Sequence, residues 1–189
     1  MKPLSKNNLL LSHLLFFTTL VLFLCTTLTH AYSYSIVTEE DIVTTTCKQT
    51  PDPKLCESAL RSDPRSSTTK DNQGLILIMI DVVKNRFSES LGYVEDLTRK
   101  THDPDMKRAL SKCIRVYRVV VDTSVDLAVR AVKQGVPKFG EQAMTDAGNE
   151  AEACWMAFPE GKAPGRIVDR TPMLHGVSNV AASMIKALE

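Results

Sequence analysis

Four cysteines, Cys47, Cys56, Cys113 and Cys154, lie beyond the first 31 residues, and their number and spacing restrict the fold more than any other feature of the sequence. A fifth, Cys25, sits inside an N-terminal leader. Lys2 and Lys6 open that leader, the uncharged run LLFFTTLVLFLC follows from Leu14 to Cys25, and small residues flank a cut at Thr29-His30-Ala31. Basic, apolar and small-residue regions in this order are those of a secretory signal peptide, so removal after Ala31 is expected. Leu9 to Leu28 approaches the length of a membrane span, but Ser12, His13 and two threonine pairs interrupt it. Export leaves an even number of cysteines, which points to two disulfides. Zinc is a poor alternative, because the four are not in close pairs and His102 and His175 lie far apart in the sequence.

Local context selects among the three possible pairings. Cys47 and Cys56 flank TPDPKL, where Pro51 and Pro53 force a turn and Asp52 is placed to cap the helix that follows. A reversal there brings the two thiols together and leaves Cys113 for Cys154. The loop closed by that second bond stabilises the fold by about 3–4 kcal/mol on the chain-entropy account.

Residues 32–189 are expected to form one domain around one core. Lys2 and Lys6 leave with the signal, so the chain's 23 basic and 22 acidic residues become 21 against 22, a charge of −1. This balance gives no basic surface of the kind nucleic-acid binders carry, and no membrane attachment is expected after cleavage. No Asn-x-Ser/Thr acceptor follows Ala31.

The apolar periodicity is helical throughout. Ile36–Thr46 and Lys54–Arg61 read as a short helical hairpin that ends at the breaker run SDPRSSTT. Leu75, Ile78, Met79, Val82, Leu91, Val94 and Leu97 then mark a long helix, interrupted by nothing stronger than Gly92. After His102-Asp103-Pro104, the series Leu110, Cys113, Tyr117, Val120, Ser124, Leu127 and Ala131 alternates steps of three and four, the seam of a helix in a bundle. Ala143, Ala147, Ala151, Cys154 and Phe158 form a further apolar line, with alanines that permit close helix approach. The loop PEGKAPG precedes a last helix whose opening reads RTPMLHGVSN and whose buried side is expected to hold Val177, Val180, Ala181, Met184 and Leu188. The fold expected is therefore all-α: an up-down-up-down four-helix bundle preceded by an N-terminal helical hairpin and held by two disulfides.

Chemistry is hard to place on this framework. The histidines occur in polar surroundings without a GxSxG or cysteine-protease context and read as solvated. Glu39-Glu40-Asp41, or Glu150 with Glu152, could be imagined to supply an acid/base pair, but neighbours one or two apart on a helix point to different faces and read as solvated surface. With the cysteines assigned to crosslinks and no phosphate-binding glycine motif, no catalytic, metal or cofactor site is expected. The stretch VKQGVPKFGEQ, Val132 to Gln142, does call for explanation. Gly135 suits the left-handed end of one helix and Pro137 the first position of the next. A connector needs neither the charge of Lys138 nor the ring of Phe139. Either Phe139 folds onto the bundle end as a staple, or Lys138 and Phe139 form a rigid prong that offers a cation and a ring to a partner's cleft.

CKQTPDPKLCESAL, SDPRS, LSKCIRVYRVVVD and DAGNEAEAC together resemble the plant invertase and pectin methylesterase inhibitor family, over Ile36 to Glu189. The resemblance implies a four-helix bundle with an N-terminal hairpin, and first-with-second and third-with-fourth cysteine pairing. Pro137-Lys138-Phe139 resembles the motif by which invertase inhibitors enter the active site of acid invertase, a β-fructofuranosidase, and which inhibitors of pectin methylesterase generally lack. It implies a protein inhibitor, not an enzyme, that blocks the sucrose pocket through these three residues, with pectin methylesterase as the alternative partner, in the cell wall or the vacuole. Trp155-Met156 departs from the polar residues more usual after the fourth cysteine; packing of Trp155 on the core is the expectation. A secreted enzyme or lipid carrier is a third possibility, the latter disfavoured because small lipid-transfer proteins resemble eight-cysteine frameworks.

Overall fold

The computed structural model describes residues 16–22 and 41–189. Residues 16–22 are helical and exposed, and belong to a unit separate from residues 41–189. The expected cleavage after Ala31 and the Ile36–Glu40 part of the expected first helix lie outside the described residues. No helix among the described residues is long and apolar enough to cross a membrane.

Residues 41–189 begin with a helical hairpin, α1 (Ile42–Cys47) and α2 (Pro53–Arg61). The Asp41 carboxylate caps α1 by accepting from the Val43 N–H, and Asp52 caps α2 by accepting from the Leu55 N–H. Pro53 opens α2, where its missing N–H costs nothing. The Cys47–Cys56 disulfide closes the turn, with Cα atoms 5.5 Å apart, as the pairing argument requires. At the other end of the hairpin Arg61 reaches Asp41 at 2.6 Å and the Thr44 hydroxyl at 2.7 Å. The breaker run holds a short 3-10 turn, Pro64–Ser67, from which Arg65 pairs with Asp63 at 2.6 Å and with Asp81 on the next helix at 2.9 Å.

The bundle follows: α3 (Asn72–Lys100), α4 (Pro104–Val119), α5 (Val125–Lys133), α6 (Pro137–Trp155) and α7 (Gly165–Lys186). A π-helical turn, Val120–Ser124, joins α4 to α5, so the two run on as one long helix and four long helices make the bundle. Asp71 and Asp103 cap α3 and α4 with their carboxylates. The chain is all-α among the described residues, as the periodicity predicts.

The core runs through all four helices. Phe87 of α3 meets the edge of Tyr117 on α4, ring centroids 5.4 Å apart, and both rings are buried. Burial pushes the Tyr117 phenol up to about 12. The Cys113–Cys154 disulfide staples α4 to the last turn of α6 with Cα atoms 4.4 Å apart. Ala143, Ala147 and Ala151 are buried as expected, joined by Gly140 and Gly148. A methyl group on Gly148 would come within 3.1 Å of the His175 ring, and one on Gly140 within 3.3 Å of Ile185, so α6 lies tightly on α7.

Three expectations need correction. The seam that starts on α4 holds from Leu110 to Ser124 and then slips: Leu127 is exposed, while Val125, Ala128 and Val132 are buried with Ala131. The π turn is the cause. Its one extra residue per turn rotates everything downstream by about 100° relative to an unbroken α-helix, which exchanges Leu127 for Ala128 at the core. Leu188 lies beyond the end of α7 and is exposed. Finally, α7 opens at Gly165, which puts Pro172 inside it; Val168, whose carbonyl loses its donor, and Pro172 are both on the exposed side.

Candidate functional site

The turn between α5 and α6 shows why Val132–Gln142 has its sequence. Gly135 adopts φ of +69°, and the Gly135 N–H donates to the Val132 carbonyl while the Val136 N–H donates to the Ala131 carbonyl. These two bonds are the Schellman closure of a helix end, which favours glycine at the left-handed residue. The Gln73 amide of α3 donates to the Val132 carbonyl at 3.0 Å and ties this end to the first bundle helix. Pro137 then starts α6. The chain is thus already helical at Lys138 and Phe139, which form the first turn of α6 and not a loop.

That placement decides between the two conformations left open for the ring. Phe139 is 63% exposed and does not fold onto the bundle end. The Lys138 side chain, beside it, is 72% exposed, and Pro137 is half-buried beneath them. No side chain caps the start of α6, and its first turn holds no acidic residue. The partial positive charge of a helix N-terminus therefore adds to the lysine charge at this tip.

Glu141, one turn further on, escapes a reading of the sequence that stops at Phe139. Its carboxylate accepts from the Lys138 ammonium at 2.8 Å and lies 3.5 Å from the ammonium of Lys186, in the last turn of α7. The hydrogen bond and charge of Lys138, reinforced by Lys186, hold the Glu141 carboxyl below its usual range, and the same contact raises the Lys138 ammonium. The signal was legible: a carboxylate three residues after a lysine on a helix falls on the same face.

The remaining candidates separate. Cys47 with Cys56 and Cys113 with Cys154 are crosslinked and carry no free thiol. His102 is exposed, but His175, expected to be solvated, is half-buried between α7 and α6, 3.5 Å from Glu152 and within hydrogen-bond reach of Asn179. Glu152 is turned to His175, and no group of three or more metal-ligating side chains occurs among the described residues.

Trp155 is the second departure. It is 47% exposed instead of packed, because Cys154 takes the inward position at the end of α6 and turns its successor outward. With Met156, Phe158, Pro159 and Val168 it lines an open groove of about 510 Å³. It lies sixteen helical steps beyond Phe139 on α6, about 24 Å along a helix, so groove and tip are at opposite ends.

Residues 41–185 match the plant invertase/pectin methylesterase inhibitor family. A "Cell wall / vacuolar inhibitor of fructosidase 1" from Arabidopsis thaliana is 40% identical over 149 residues, which cover 79% of this chain and 70% of the relative. A second, "Cell wall / vacuolar inhibitor of fructosidase 2" from the same plant, is 28% identical over 89% of this chain and 97% of its own length. The fold is also that of a crystallised pectin methylesterase inhibitor from Arabidopsis, a mutant form, at a TM-score of 0.66 and 17% identity, over 78% of this chain and 97% of that one. With the match spanning nearly all of the bundle and its hairpin, the chain belongs to the plant invertase/pectin methylesterase inhibitor family.

Proposed function

We propose that this chain inhibits an acid invertase by seating Lys138 and Phe139, at the start of α6, in the sucrose-binding pocket of the enzyme. The observation that carries the reading is the exposed pair itself: a ring that is 63% open to solvent beside a cation, on the first turn of a helix that is crosslinked and tightly packed. A phenylalanine this exposed gains little for its own fold. A retaining glycosidase keeps two carboxyl groups about 5 Å apart in one pocket, and a positively charged tip complements them. The ring replaces water against the wall that would hold a sugar face, and Pro137 with the Schellman turn limits the conformational entropy lost on docking. The 40% identical relative is named an inhibitor of fructosidase, which supports the choice of a fructosidase as partner. The leader at the N-terminus and the names of both relatives support passage through the secretory route to the cell wall or vacuole.

Parallel assays test the proposal. The purified protein is expected to abolish sucrose hydrolysis by an acid invertase, to leave methanol release by pectin methylesterase unchanged, and to lose inhibition in the Lys138→Ala/Phe139→Ala double variant. Suppression of methanol release with invertase untouched would move the partner to the esterase.

A further inference from the structure

Lys138 does not stand alone at the tip. Its ammonium is 2.8 Å from Glu141, and Glu141 is 3.5 Å from Lys186, so one carboxylate bridges the first turn of α6 and the last turn of α7. Exposure is unequal. The two lysine side chains are 72% and 65% open, whereas the Glu141 side chain is 17% open, so the cations face outward and the anion lies behind them. Lys138, Glu141 and Lys186 carry a net charge of +1 between them, and the Glu189 carboxylate is near enough to act on Lys138 as well. An ammonium has three donors; one is spent on Glu141 and two remain for solvent or a partner. Lysine at the start of a helix is opposed by the helix dipole and loses rotamer freedom when fixed. Glu141 offsets the first and accomplishes the second before any partner arrives. A carboxylate so near an acidic pocket would repel it, and Lys186 is placed to cancel that repulsion.

We infer that Glu141 is a positioning residue for inhibition, holding the Lys138 ammonium in its docking pose, and that Lys186 acts through Glu141 by masking its charge from the partner's carboxylates. The inference rests on the proposed entry of Lys138 into an acidic pocket. The experiment is a pair of double-mutant cycles on the complete crosslinked protein, read as inhibition constants against acid invertase with thermal midpoints alongside. Glu141→Gln is expected to weaken inhibition about three- to tenfold, in the range of coupling between contacting residues, and to have no effect when Lys138 is already alanine. Lys186→Met is expected to weaken inhibition in the native background and to lose that effect once Glu141→Gln is present. Midpoints of all five variants should stay close to that of the native protein, because these are solvent-facing pairs that contribute little to stability. An equal loss from Glu141→Gln with or without Lys138 would overturn the positioning role, as would an unchanged or tighter constant for Glu141→Gln alone. A Lys186→Met effect that persists without the Glu141 charge would overturn the masking role. If Lys138→Ala by itself leaves inhibition intact, the proposed entry of Lys138 fails, and the positioning role with it.

Discussion

Two phenylalanines in this protein should respond to truncation in opposite ways. Phe139 is 63% exposed and Phe158 only 8%. Phe158→Ala removes a core ring and should cost about 3–4 kcal/mol of stability. For a domain of this size that corresponds to a thermal midpoint lower by about 6–16 °C. Phe139→Ala removes a ring that is mostly in water and installs a better helix former, so the free protein should stay within about 0.5 kcal/mol of native stability. Its cost appears only on docking. Complete burial of a phenylalanine gains about 1.5–3 kcal/mol, of which close to two thirds is still available here, or about 1–2 kcal/mol. That is a Kd weakened roughly 5- to 30-fold. The assay titrates native protein, Phe139→Ala and Phe158→Ala against a fixed amount of acid invertase and follows sucrose hydrolysis, with thermal melts of the same preparations. The reasoning is refuted if Phe139→Ala melts several degrees below native, because the ring would then be structural, or if it melts normally and inhibits as well as native.

Two further outcomes follow from the bundle. Leu127→Gln should be neutral within about 0.5 kcal/mol, while Ala128→Leu, which overpacks the buried face, should cost about 1–3 kcal/mol by chemical denaturation; the reverse order would mean that the π turn does not shift the helix phase. The carboxyls of Asp41 (by the Val43 N–H and Arg61), Asp63 (by Arg65), Asp96 (by Lys100) and Glu141 (by Lys138) are all held below their usual range. Groups depressed in the folded state contribute stability that is complete above their unfolded values, about 4, and is lost as pH falls through the lower folded values. The thermal midpoint should therefore be level from about pH 7 to 5 and decline modestly below about pH 4, these being solvent-facing pairs; a decline already under way at pH 6 would contradict this assignment.

What was legible in the sequence was whatever depends on neighbours along the chain. Asp52-Pro53 announces α2, Gly135 and Pro137 announce the reversal into α6, and the proximity of Cys47 to Cys56 leaves one partner for Cys113. The seam from Leu110 to Ser124 reads correctly because a regular helix repeats. It fails at Leu127 because nothing in VVDTS reveals that the hydrogen-bond ladder slips by one residue there. Val83 and Phe87, central to the core, escaped the reading of α3, whose apolar residues are too dense to define one face. At the candidate site, sequence supplied Lys138 and Phe139 but not whether the ring is inward or outward, which only the packed bundle decides. Glu141 was within reach by helical spacing, whereas its contact with Lys186 joins residues that only the fold brings together.

The close seating of α6 on α7 has a mechanical consequence. With Gly140 and Gly148 leaving no slack against Ile185 and His175, and Cys154 bolted to α4 at the far end, the helix that carries Phe139 has neighbours braced along its whole span. A load on the tip is carried as compression into a multi-helix column. The tip is thus built like a punch on a stiff shaft, able to press into a cleft without yielding sideways.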